Sequence, residues 1–171
     1  MSYRIDVIAD SVAEAVRYAG GLMFDRRLAG WDVIVTSDDV AHVRALTILG
    51  ARLRPLGGPE DQPLPAHWGA ATVVGPVAAS RLGGSYVLQW GQQRDDSTAG
   101  PMTPLCHDLS AAARSFKAHA LRAAGLPSDV DHIEQFWGSP HGAAGLRPTA
   151  SWPPVLTRGR AVSRPPNAVG G

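Results

Sequence analysis

Residues 3–90 alternate between strand-like and helix-like segments. Residues 3–9 and 31–36 are apolar and β-branched, whereas residues 12–24 between them carry apolar side chains at helical spacing. Consecutive parallel strands need a crossover connection, which is usually a helix. The alternation therefore predicts a parallel sheet with helices on both of its faces.

The first predicted helix has clear ends and a weak middle. Ser11 and Glu14 fit a capping box, in which the serine accepts from a helical N–H and the glutamate reaches back to the cap. Gly30 is expected to end this helix. Gly20 and Gly21 each weaken it by about 1 kcal/mol relative to alanine, which indicates close packing or a bend there.

The following segments continue the alternation. Caps within residues 37–39 predict a helix over 40–50, although the short apolar run 46–49 is also compatible with a strand. The proline-rich stretch 55–65 is typical of a surface loop. Further elements are predicted at residues 71–74 (strand), 75–79 (turn and short helix) and 86–90 (strand).

Residues 103–137 are predicted to form a helical hairpin. Thr103 as cap and Pro104 at the first helical position begin one helix, and Gly125 ends it. Ser128, with an acid three residues later, begins a second, shorter helix. The inward side chains are expected to be Leu105, Leu109, Ala112, Phe116 and Ala120 in the first helix, and Val130, Ile133 and Phe136 or Trp137 in the second.

The composition changes at residue 138. Residues 138–171 contain six prolines, six glycines, four arginines and no acid, which predicts a disordered tail. Twelve basic and fifteen acidic residues precede it, so the body carries about −3 and the tail +4. We therefore expect an α/β domain over 1–137 and a separate tail over 138–171.

The expected fold class is a three-layer α/β domain. Its sheet would be small, mostly parallel and of about four strands, flanked by helices and followed by the hairpin and the tail. Residues 13–36 are similar to the first unit of many doubly wound, Rossmann-like folds. That similarity concerns architecture and implies no function.

Polar residues follow the predicted strands. In open α/β sheets, ligands bind beyond the carboxyl ends of the strands, where side chains from neighbouring strands meet. The candidate ligand-binding residues are Asp10, Ser11, Ser37, Asp38 and Gly75, with Asp39 and Gly91 nearby. The acids could hold a cation, an amine or a sugar hydroxyl. The alternative is that the serines and acids only cap helices.

Several ligand classes lack their sequence patterns. No dinucleotide fingerprint or P-loop occurs, and the first predicted turn, residues 9–11, contains no glycine to admit a phosphate. The receiver-domain pattern has a pair of acids after the first strand and a lysine after a later strand. This chain has a single acid at the first of these places and no lysine at the second. A formal net charge of +1 makes nucleic acid an unexpected partner. No cofactor can be assigned.

Cysteine and histidine offer weak catalytic candidates. Cys106 and His107 would lie in the first turn of a helix, where the macrodipole favours a thiolate, with His119 or His132 as a distant base. The alternative is a small buried cysteine, and its being the only one excludes an internal disulfide. The histidines show no metal-ligand spacing. The cluster Asp129, Asp131, His132 and Glu134 is interpreted as first-turn helix acids, so no metal is predicted.

The expected location and partners are inferred from sequence features that the chain lacks. The start of the chain lacks a secretory signal, and no apolar run approaches the roughly 20 residues of a membrane span, so we expect a soluble, cytoplasmic protein. Lys117 is the only lysine among sixteen basic residues, a bias typical of a GC-rich bacterial genome. Trp152 and Arg158 in the tail could stack on a partner, but four arginines over the tail are sparse.

Three hypotheses remain. The leading one is a non-catalytic α/β binding or interaction domain whose ligand is a small molecule or a protein partner. The alternative is a small hydrolase or transferase with an acid-lined site at the strand ends, using Asp10 and Asp38 with Cys106 or His107 in support. The third is self-association, or binding of a partner subunit, through the hairpin over 103–137.

Overall fold

A computed structural model describes residues 2–56, 68–77, 88–91, 102–138 and 147–148. The strands are β1 (Ser2–Ile8), β2 (Asp32–Thr36), β3 (Arg52–Arg54), β4 (Trp68–Val74), β5 (Leu88–Gln89), β6 (Thr103–Asp108), β7 (Ile133–Gly138) and β8 (Arg147–Pro148). The helices discussed below are α1 (Val12–Leu28), α2 (Val43–Leu49) and α3 (Ala111–Ala123).

The strands form one mixed sheet in the order β3-β2-β1-β4-β5-β7-β6-β8. The first five are parallel to one another, and β7, β6 and β8 continue the sheet with antiparallel pairs. The α/β class and the parallel front half are as predicted. The prediction of about four strands is wrong, because the described residues contribute eight to this sheet.

The core lies between the sheet and one layer of helices. Ile5 and Val7 of β1 are buried in it, whereas Arg4 and Asp6 alternate onto the opposite face, as the period of a strand requires. Helices α1, α2 and α3 contact one another, so they share one face of the sheet. Pro76 and Val77 are also helical, and the predicted three-layer arrangement, with helices on both faces, stays a prediction.

The front of the chain folds as its local signals indicate. Ser11 caps α1 and its side chain accepts from the backbone N–H of Glu14 at 3.1 Å. Gly30 follows the helix with φ +86, the left-handed conformation that glycine adopts at helix ends. The predicted caps of α2 are wrong, since its N-cap is His42, which makes no side-chain cap bond.

The helical hairpin is the main error of the sequence interpretation. Residues 103–108 form β6 and residues 133–138 form β7, and these two strands pair with each other. Only the middle of the predicted hairpin is helical, because α3 begins after Ser110, whose side chain caps it, and ends before Gly125 at φ +69. Pro104 stands near the start of a strand, a position where its missing N–H is tolerated.

The tail contributes to the sheet at two places. Gly138 ends β7, and Arg147–Pro148 forms β8 beside β6. Residues 139–146 and 149–171, including Trp152 and Arg158, lie outside the described residues, so the boundary after residue 137 remains a proposal. Among the described helices, none combines the length and the apolarity that crossing a bilayer requires.

Candidate functional site

The predicted strand-end residues do gather at one edge. Ile8 pairs with Thr36 on one side and with Val74 on the other, so β1, β2 and β4 end in register. Backbone bonds extend the alignment by one residue, from the N–H of Ala9 to the carbonyl of Thr36 and from the N–H of Gly75 to that of Ile8. The segments that follow these strands are therefore neighbours in space.

The polar groups at this edge mostly bond to one another. Ser37 Oγ donates to the carbonyl of Asp10 at 3.2 Å and accepts from the N–H of Asp39 at 3.1 Å. Asp38 Oδ1 accepts from the N–H of Leu56, and Ser11 caps α1. Asp10 is exposed, and its carboxylate makes no hydrogen bond to another described residue. The geometry favours the capping and loop-closing interpretation for Ser11, Ser37 and Asp38.

Asp39 occupies the place where an external anion would bind. Its Oδ2 accepts from the N–H of Val12, the first residue of α1, at 3.2 Å, and its Oδ1 accepts from the N–H of Ala41 at 2.8 Å. A helix N-terminus carries partial positive charge and free N–H groups, which a carboxylate satisfies well. The chain thus supplies its own anion at this helix end.

Gly75 leaves space for the side chains of Trp90 and Glu14 to pack against its backbone. Trp90 is 1% exposed and donates its indole N–H to Glu14 Oε1 at 3.0 Å. A Cβ added to Gly75 would lie 3.0 Å from both the Trp90 ring and Glu14 Oε1, so the glycine makes room for this pair. The indole therefore fills the space beside the ends of β1 and β4, which is the switch point where doubly wound sheets bind ligands.

A cleft of about 720 Å³ lies beyond the carboxyl end of β5. Gln89 pairs with Trp137 in antiparallel register, so the earlier residues of β7 extend past the end of β5. The cleft is lined by residues of α1 (Arg17, Tyr18), by Gly91, by residues of α3 (Lys117, Leu121), by the connection 126–132 (Leu126, Pro127, Asp129, Val130, Asp131, His132) and by residues of β7 (Ile133, Glu134, Gln135).

A buried ion pair forms part of this lining. Lys117 Nζ lies 2.6 Å from Glu134 Oε1, and the two side chains are 8% and 2% exposed. Glu134 also accepts from two backbone N–H groups in the middle of α1, Oε1 from Gly21 at 2.7 Å and Oε2 from Leu22 at 2.8 Å. Burial of a charged pair is compensated only when such further hydrogen bonds are present.

The two glycines of α1 admit this pair. A Cβ on Gly20 would lie 3.3 Å from Cγ of Lys117, so the lysine stem passes directly over the helix backbone. A Cβ on Gly21 would lie 2.4 Å from the Leu109 side chain and 3.1 Å from Glu134 Oε1. Of the two alternatives predicted for Gly20 and Gly21, close packing or a bend, the close packing is present, and it positions two charged residues of the cleft.

The acids before β7 are arranged differently from their prediction. Asp129, Asp131 and His132 are exposed residues of the connection between α3 and β7, and Glu134 alone of the four is buried. Among the described residues, no group of three or more His, Cys, Asp or Glu side chains could hold a metal ion. The four residues therefore neither begin a helix nor converge on one point.

Cys106 and His107 lie on strand β6 and not in a helix. Adjacent strand residues project to opposite faces, so the pair does not form a nucleophile and its base. His107 Nε2 lies 2.9 Å from Asp25 Oδ2, and Ser110 Oγ donates to Asp25 Oδ1 at 2.6 Å. These contacts join α1 to the start of α3. Next to Asp25, burial lowers the pKa of Arg26, and the carboxylate opposes that shift.

Comparisons with known proteins add little. No family model matches the chain, and no curated protein matches it. A solved structure, that of the A40926 pseudoaglycone deacetylase Dbv21, is similar at a TM-score of 0.48 and 15% sequence identity. The match covers 79% of this chain and 96% of that one. We draw no functional conclusion from a likeness of this size.

Proposed function

We propose that this chain is a non-catalytic binding domain for a small organic molecule, and that the ligand occupies the cleft between α1, α3 and β7. The cleft itself carries this proposal. Ligand pockets have volumes of about 300–1,000 Å³, with mostly apolar walls and a few convergent polar groups. Here Leu121, Leu126, Val130 and Ile133 supply apolar wall, and the Lys117–Glu134 pair supplies polar groups at a buried position.

The strand-end edge is a weaker candidate for the same role. A ligand there would have to displace the hydrogen bonds that Ser37, Asp38 and Asp39 make within the chain. The switch point beside β4 is filled by the buried indole of Trp90. Both observations support placing the ligand in the cleft.

The test is a fragment library screened by ligand-observed NMR against three proteins. Val130→Trp places an indole in the wall of the cleft, and Val40→Trp makes the same change at a position that is 75% exposed and outside it. We expect fragments that bind the unmodified chain to lose binding to Val130→Trp and to keep it with Val40→Trp. Equal binding to both variants would contradict the proposal, provided that both unfold with the same cooperativity as the parent.

A small hydrolase or transferase at the strand ends is the second candidate. The observation in its favour is the exposed carboxylate of Asp10, which makes no hydrogen bond to another described residue. A broad hydrolase and transferase screen with the unmodified chain and Asp10→Ala tests it. Turnover that disappears in Asp10→Ala would favour this candidate over a non-catalytic domain.

A further inference from the structure

The ammonium group of Lys117 has hydrogen-bonding capacity that the described protein does not use. An ammonium carries three N–H donors and no acceptor. Glu134 Oε1 takes one of them at 2.6 Å, and no other described residue accepts from Nζ. The side chain is only 8% exposed, and Lys117 belongs to the cleft lining. Two donors of this ammonium therefore have no described partner, and the residue that carries them lines the cleft.

Glu134 differs, because its carboxylate is well satisfied. Oε1 accepts from Lys117 Nζ and from the N–H of Gly21, and Oε2 accepts from the N–H of Leu22. Three N–H groups thus converge on this carboxylate, two of them fixed in the backbone of α1. The spare hydrogen-bonding capacity of the buried pair consequently consists mainly of donors.

We infer that the cleft takes a ligand whose hydrogen-bond acceptor oxygen, from a carbonyl or a carboxylate, binds the ammonium of Lys117. This inference rests on the proposed binding function. The ammonium has one hydrogen-bond partner among the described residues, and an acceptor oxygen from a ligand would add a second charge-assisted hydrogen bond. The apolar side chains Leu121, Val130 and Ile133 line the same cleft, so the ligand attaches this oxygen to an aliphatic or aromatic body.

A cationic head group is unfavourable beside the Lys117 ammonium, although Asp129 and Asp131 line another part of the same cleft. An amine would bring a second positive charge against the Lys117 ammonium, and it would find the nearby carboxylate of Glu134 already bonded by three donors. Comparing ligands that share one hydrocarbon chain and differ in the head group therefore tests which class of ligand binds.

The experiment uses the fact that Lys117 is the only lysine in the chain. Protein grown with ¹⁵N-lysine gives a single side-chain ¹⁵Nζ resonance, which reports directly on this ammonium. The probes are hexanamide, hexanoate and hexylamine, which share a six-carbon chain and differ in the head group. A second sample, labelled with ¹⁵N throughout the backbone, reports binding through the amides of Val130 and Ile133.

We expect hexanamide or hexanoate to shift the ¹⁵Nζ resonance together with these cleft amides, and hexylamine to leave the ¹⁵Nζ resonance unshifted at the same concentration. A larger response to the amide indicates a neutral ligand, and a larger response to the carboxylate indicates an anionic one. A ¹⁵Nζ shift with hexylamine as large as with the other two probes would overturn the inference. Cleft amides that move while ¹⁵Nζ stays fixed would overturn it too, but leave the proposed function standing.

A double variant provides an independent measurement. Lys117→Met with Glu134→Gln removes both charges and keeps one amide oxygen to accept from one of the two α1 N–H groups, while its NH2 replaces the oxygen at the other. We expect the affinity for the preferred probe to fall at least fivefold and the response to hexylamine not to decrease. Unchanged affinity for hexanamide and hexanoate would overturn the inference. If no probe moves any cleft amide, the inference fails, and the library screen with Val130→Trp decides the proposed function separately.

Discussion

Replacing Gly21 with alanine tests how closely Leu109 and Glu134 pack against α1. In an exposed helix this change stabilises by about 1 kcal/mol, because glycine is the poorer helix former. Here the new Cβ would lie 2.4 Å from both Cγ and Cδ2 of Leu109 and 3.1 Å from Glu134 Oε1. Leu109 is buried and cannot move into solvent. Overpacking of this kind costs about 1–3 kcal/mol.

The close contact places Gly21→Ala at the upper end of that range, so we expect a net loss of about 2 kcal/mol after the gain in helix propensity. Gly20→Ala is the matched control, because its Cβ would meet Lys117 Cγ at 3.3 Å, which a small shift relieves. It should change the free energy of unfolding by less than about 1 kcal/mol. Urea denaturation followed by tryptophan fluorescence measures both. If Gly21→Ala is as stable as Gly20→Ala, the packing account of this helix is wrong.

Three further perturbations have expected outcomes. Lys117→Met should lower the free energy of unfolding by about 3–5 kcal/mol, because it leaves the carboxylate of Glu134 buried without its cation. Adding Glu134→Gln should recover part of that loss in the same urea assay. A loss below about 1 kcal/mol for Lys117→Met would contradict the ion-pair account. Ser110→Ala should lower the free energy of unfolding by about 1–3 kcal/mol, because it removes both the helix cap and the hydrogen bond to Asp25, whereas Ser128→Ala, which caps no described helix, should change it by less than about 0.5 kcal/mol, and equal effects would refute this distinction. Gly75→Ala should lower the melting temperature by crowding the neighbouring buried indole, and an unchanged value would show that the space is not filled as described.

Local signals were sufficient for the front of the fold. The β-branched runs of β1 and β2, the cap at Ser11 and the left-handed Gly30 all lie where the sequence indicates them. Each of these signals depends on residues a few positions apart, so long-range packing does not alter it. The parallel arrangement followed from the single helix between the two strands.

Two of the errors in the second half involve the buried ion pair Lys117–Glu134, whereas the helix predicted over residues 103–108 followed from the Thr103–Pro104 start signal. In α3 the predicted burial of Ala120 is right, but Ala112 and Phe116 are exposed and Ala113 and Lys117 are buried in their place, so the apolar spacing indicated a face that is partly wrong. In β7 the buried positions alternate as Glu134, Phe136 and Gly138, and a glutamate at the first of them hides the strand period. A buried charge in each element cannot be recognised until its partner on the other is known.

The candidate site shows the same limit. Sequence reasoning correctly placed Asp10, Ser37 and Gly75 at a shared edge, because parallel strands end together. It could not show that the polar groups there bond to one another, nor that the cleft lies between α1, α3 and β7. The available signal for the cleft was the pair Gly20 and Gly21, which indicated close packing without identifying what packs there.

Backbone amide chemical-shift mapping with the fragments that bind tests the central claim most directly, because it distinguishes the cleft from the strand-end edge in one spectrum. The account predicts that the largest shifts occur at Lys117, Val130 and Ile133. Shifts concentrated instead at Asp10 and Asp38, with the cleft amides unmoved, would contradict it.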